Sequence, residues 1–310
     1  SLGSGITTTA VQLSSGGGIY ADAGSTVTMG SLNANWDGNN EVKLLGTNTL
    51  NSYGTSDEIV KLPPGTVDAA GMSLTITTTT DDKKIGIYDD TFENLTLTPA
   101  SATSYDIQDS NGMNLGGNLT INANATLDTT TSNRAITVAG TTSVSGTLTC
   151  NASTVSLGSA VTSGYALTVN DGGTFTGGSG THTIGSFNVS GSGSGGSMTL
   201  SSGNTTISSR NTSASRFFEV SSNANSFANG SGTLIFTTAA GSNIVLNKSG
   251  ATLNNVTINH ASCEVTLLTT AITMGGNLTI TAGELDTGSN VALTVTGEFS
   301  NAGTFTSNSS

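Results

Sequence analysis

The sequence predicts an all-β chain wound as a parallel right-handed β-helix, a β-solenoid. Three observations predict it. Short aliphatic triplets with a polar middle residue recur along the chain, as in Leu74-Thr75-Ile76, Leu119-Thr120-Ile121, Leu278-Thr279-Ile280 and Leu293-Thr294-Val295. That alternation marks a strand with one buried face. Between the triplets lie Gly-Gly, Asn-Ala-Gly, Asn-Asp-Gly and Ser-Gly clusters, the chemistry of turns that need φ > 0. Finally, 41 Gly, 98 Ser plus Thr and 30 Asn make up just over half of the 310 residues. No long window keeps a 3.6-residue period. Disorder is excluded because charged residues are only 9% and the aliphatic triplets run throughout.

Strands this short bury little surface singly. Stacked coils solve the problem, since each strand pairs with the coil above and below and its inward residues form a continuous column. The triplet spacing predicts coils of ~22 residues and ~14 coils in all. The alternative is two β-sandwich domains, one per half of the chain. An aromatic content of 5% disfavours it, because sandwich cores draw on more Trp, Tyr and Phe.

Taken in order, the predicted strands form two matching series. Val27-Thr28-Met29-Gly30-Ser31-Leu32-Asn33 is answered by His182-Thr183-Ile184-Gly185-Ser186-Phe187-Asn188. Phe92-Glu93-Asn94-Leu95-Thr96-Leu97 is answered by Leu253-Asn254-Asn255-Val256-Thr257-Ile258. Leu115-Gly116-Gly117-Asn118-Leu119-Thr120-Ile121 matches Met274-Gly275-Gly276-Asn277-Leu278-Thr279-Ile280. Leu127-Asp128-Thr129 matches Leu285-Asp286-Thr287. Ala135-Ile136-Thr137-Val138-Ala139-Gly140 matches Ala292-Leu293-Thr294-Val295-Thr296-Gly297. Gly146-Thr147-Leu148-Thr149 matches Gly303-Thr304-Phe305-Thr306. The offset stays between 155 and 161, which divides the chain into tandem copies at 1–152 and 153–310.

The ends are nearly in phase, Asn308 aligning with Asn151 and Ser1 with about Ser156. Identical chains can then stack head to tail in the register the covalent copies use. No helical cap is predicted at either end, and unpaired strand edges invite pairing. The expected subunit contacts are Ile6 and Val11 on one side and Leu293, Val295 and Phe305 on the other. Ser1-Leu2-Gly3-Ser4 is neither an initiator sequence nor a secretory signal, so the chain is expected to start at a processed or trimmed end.

The stretch Gly275–Thr287, continuing through Ala292–Phe305, resembles the repeats of large secreted β-helix proteins: filamentous-haemagglutinin-like adhesins, autotransporter passengers, and similar fibre proteins of phages and environmental microbes. The resemblance covers about half of the chain. It implies an extracellular, cell-surface or virion-surface structural or adhesive role and brings no catalytic residue with it; the partners expected are self, from the end-phase match, and surface glycans.

Composition excludes several functions. Eight basic against twenty acidic residues, net −12, leave no Lys/Arg cluster for nucleic acid. No apolar run reaches the ~18–20 residues of a membrane helix. His182 and His260 have no acidic neighbour in sequence, so no acid–base pair and no cofactor is expected. Asp81, Asp82, Asp89 and Asp90 form the densest charge cluster and the candidate cation site. Their spacing matches neither an EF-hand nor a nonapeptide calcium loop, and the aligned stretch 239–243 is uncharged, so a solvated turn is preferred. Outward Thr pairs such as Thr75/Thr77 and Thr96/Thr98 raise an ice-binding alternative, with carbohydrate binding as another. Irregular coil spacing argues against a flat ice-like lattice. Cys150 and Cys263 are expected to be small core residues.

Overall fold

In a computed structural model the described residues are 6–8, 11–13, 18–22, 25–34, 41–51, 58–62, 71–87, 91–130, 132–268, 271–289 and 291–308. They contain no helix. Their ladders are parallel and stack as a β-solenoid of about 11 turns. The sandwich alternative fails on this point, since sandwich neighbours run antiparallel. The expected ~14 coils become about 11 because the coils vary in length. Leu74 stacks on Leu95 after 21 residues, whereas Phe187 stacks on Phe218 after 31. The extra length is a loop that reaches back to residues 159–162, two coils earlier. Asn211 and Arg216 bridge, and Thr212 N–H donates to the Thr162 carbonyl.

Contacts cluster into two units, one formed by 1–140 with 146–149, the other by 141–145 with 150–310. In the first unit one ladder runs through Thr26–Met29, Thr47–Leu50, Ser73–Ile76, Asn94–Leu97 and Leu119–Ile121. A second runs through Leu32–Ala34, Glu58–Leu62, Lys83–Ile87, Thr103–Ile107, Ala125–Asp128 and Thr147–Thr149. The triplets behave as their alternation demands. Leu50, Ile76, Leu97 and Ile121 form one fully buried inward column. Thr28, Thr49, Thr75, Thr96 and Thr120 form the outward column.

In the second unit, Val155–Leu157, His182–Ile184, Thr205–Ile207, Thr233–Phe236, Asn255–Leu267 and Leu278–Asp286 stack in turn. A parallel series runs through Thr142–Val144, Leu167–Val169, Phe187–Val189, Arg216–Val220 and Ser242–Leu246. Its core is aromatic. Phe187 and Phe218 lie face to face with ring centroids 4.6 Å apart, and Phe227 is 6.1 Å from Phe187. The outward columns here are interrupted by Glu219, Ile235 and Val245.

The repeated Gly-Gly-Asn corner has the same job in each unit. Asn118 N–H donates to Asn94 Oδ1 at 2.8 Å, and Asn277 N–H donates to Asn255 Oδ1 at 2.9 Å. The preceding Gly117 and Gly276 face that same oxygen, where a Cβ would fall inside contact distance. Glycine is therefore required by close approach, and the Asn stacks satisfy backbone donors that the corner exposes.

Candidate functional site

The last coil of the second unit consists of Ala292–Val295, Phe299–Asn301 and Thr304–Thr306. Among the described residues each strand is paired on one side only, with Ala271–Met274, Leu278–Ile280 and Glu284–Asp286 respectively. The alternation that buries earlier triplets is unchanged here, but no described residue covers it. Leu278 is 1% exposed and Ile280 0%, while Phe299, stacked in register on Leu278, is 47% exposed.

Leu293, Val295 and Phe305, the three predicted contact residues in this region, converge with Leu278 and Phe299 on one groove of about 330 Å³. Thr287 and Ser307 complete its lining. Phe299 and Phe305 meet edge to face at 5.3 Å. No lining residue is ionisable, so the groove works by apolar burial and by the free strand edges beside it. Sequence reasoning passed over Phe299. Its position was readable from Glu298-Phe299-Ser300, where the apolar residue falls in the inward phase.

Ile6 and Val11 lie in strands Ile6–Thr8 and Val11–Leu13 of the first unit, opposite Val27 and Leu32. Their side chains are outside the described residues. Asp81 and Asp82 sit in the turn before Lys83–Ile87, pinned to the next coil. Ser104 N–H donates to Asp81 Oδ1 at 2.6 Å, and the Ser104 hydroxyl is within reach of both carboxylates. Those bonds hold the Asp81 carboxyl below its ordinary range. Asp89 and Asp90 are outside the described residues. Among the described residues no group of three or more His, Cys, Asp or Glu could hold a metal.

The histidines are apart in environment. His182 is fully buried in the column between Val155 and Thr205, edge-on to Phe175, with no hydrogen-bond partner on either ring nitrogen. Burial pushes its pKa down to about 4. His260 Nδ1 accepts from Ser262 N–H at 3.1 Å. Cys150 and Cys263 are both buried, and burial pushes the Cys263 thiol up to about 12, the opposite of an activated nucleophile. No helix among the described residues is long and apolar enough to cross a membrane.

The fold and these sites define the class: a parallel β-solenoid with apolar groups exposed on its last described coil. No family model matches the chain, and neither the curated proteins nor the solved structures yield a match.

Proposed function

We propose that this protein is a non-enzymatic extracellular structural protein that assembles head to tail into a fibre. One observation carries the reading. The coil 292–306 repeats the inward pattern of the coils before it, yet leaves Phe299, Leu293, Val295 and Phe305 uncovered beside unpaired edges. A further coil of the same kind completes it. A second copy of this chain supplies such a coil, because the sequence offset brings its first strands into nearly the phase that follows Thr304–Thr306. Backbone pairing sets the register, and burial of the aromatic and aliphatic groups provides the drive.

Negative-stain microscopy of the isolated chain tests this. Fibres are expected for the native chain, and dispersed particles for Phe299→Asp with Val295→Lys and for a chain lacking residues 1–13. Dispersed particles from the native chain at high concentration, or fibres that survive both changes, would overturn it. The first result would assign the open coil to a longer monomeric adhesin or phage fibre.

A further inference from the structure

A surface of the first unit carries an inference independent of the fibre reading. The ladder Thr26–Met29, Thr47–Leu50, Ser73–Ile76, Asn94–Leu97, Leu119–Ile121 holds Thr28, Thr49, Thr75, Thr96 and Thr120 in one outward column. Successive members lie 21, 26, 21 and 24 residues apart in the chain, yet no register shift interrupts the ladder. The neighbouring ladder does shift, between Lys84 and Ile85. In the sequence the unequal coil lengths argue against a regular lattice. In the structure they fall in the loops, and this face keeps its register.

The column has company on both sides. Thr26 is exposed, and Ser73 and Asn94 are part-exposed in register with it. Beyond the strand ends the ladder continues, since the N–H groups of Thr77, Thr98 and Asn122 donate to the carbonyls of Leu50, Ile76 and Leu97. Rungs repeat at ~4.8 Å, and outward neighbours on one strand at ~6.6 Å. The result is a two-dimensional grid of hydroxyls, methyls and amides.

The grid is neutral. Its five strands contain no ionisable and no aromatic residue, although 14 acidic and five basic residues fall in 1–155. Glu58, Lys61, Lys84, Asp106 and Asp128 all belong to the other ladder. The column is stiff, because a β-branched side chain has few χ1 wells in a strand. It is also open to water. The five Thr side chains are part-exposed, and their hydroxyls make no hydrogen bond among the described residues. A charged ligand finds no counter-charge here, and a sugar ring finds no aromatic platform. A periodic, uncharged net of water molecules finds donors, acceptors and methyls at every rung.

We propose that this Thr face binds ice. The hydroxyls take the places of lattice waters, the methyls fill the openings between them, and the two repeats of the grid are close to the oxygen repeats of a prism face. Each contact is weak, but a rigid array engages every rung with no further ordering of side chains. A crystal face so covered stops growing beneath the protein.

The test is nanolitre osmometry and ice recrystallisation on the full chain, with ice alone as the probe. A gap between melting and growth temperatures that widens with protein concentration is expected, with faceted crystals. Thr75→Tyr, in the middle of the column, should narrow the gap about fivefold or more with the thermal midpoint unmoved, and Thr96→Lys should do the same. Thr126→Tyr, at an outward, part-exposed position of the other ladder, should leave the gap unchanged. Growth at the melting point at every concentration, a gap that survives both column variants, or an equal loss from Thr126→Tyr would overturn the proposal. Retention on crystalline cellulose or chitin without a freezing gap would overturn it in favour of a polysaccharide surface.

Discussion

At the residue scale, inward polar groups carry the sharpest physical consequences. Asn48 points into the first unit, and its amide nitrogen is satisfied by the carbonyls of Leu44, Gly46 and Ser73, to which it donates. His182 has no such help in the second unit. Its folded pKa of about 4 lies below the 6.5 of the unfolded chain, so between those values the unfolded state binds a proton that the folded state refuses. Stability from this group is therefore complete above pH 6.5 and declines as the pH falls toward 4, by about 3 kcal/mol at most at ~1.4 kcal/mol per pH unit. Urea unfolding at pH 7.5 and pH 4.5 should show the loss, and His182→Leu should remove most of it. An unchanged pH slope in that variant would refute the assignment. The sequence showed His182 without an acidic neighbour. That it faces inward could be inferred from its match to Val27, which starts an equivalent triplet.

At the element scale, one triplet pattern has two fates. Leu119 and Ile121 lie between covered coils and are fully buried, while Leu293 and Val295 in the terminal coil are only half-buried. Truncation should separate them. Leu119→Ala should cost about 2–5 kcal/mol, the cavity-forming range for a core leucine. Leu293→Ala, measured under conditions where the chain is dispersed, should cost less than half as much, since less apolar area leaves water. Chemical denaturation of both variants gives the comparison, and equal losses would mean that the terminal coil is covered in the dispersed chain. The Gly-Gly-Asn corners were visible as repeated motifs, but their job was not. Only the stacked register puts Asn94 Oδ1 at the Asn118 N–H and Asn255 Oδ1 at the Asn277 N–H. The Thr column at 28, 49, 75, 96 and 120 was likewise hidden, because loops of unequal length separate residues that the ladder aligns.

At the scale of the whole molecule, charge opposes the proposed assembly. Fourteen acidic and five basic residues fall in 1–155, against six and three in the remainder, so every chain carries a like-signed field into a contact. The Debye length contracts from about 10 Å at 0.1 M salt to about 3 Å at 1 M. Fibre formation, followed by light scattering, should therefore quicken with added salt and as the pH approaches the isoelectric point near 4.2. Slower assembly in salt would show that ion pairing, not apolar burial, joins the subunits.

The all-β class, the solenoid stacking and the residues that form its inward columns were determined by the sequence by itself, since period-2 alternation and turn residues act within a few positions of one another. Coil number was decided only in three dimensions, because a loop's length does not say whether it extends a coil or folds back, as 208–216 does against 159–162. The exposure of Phe299 also belongs to the tertiary structure. It depends on which strand lies against the residue in space, and that is not written in the few positions on either side of it.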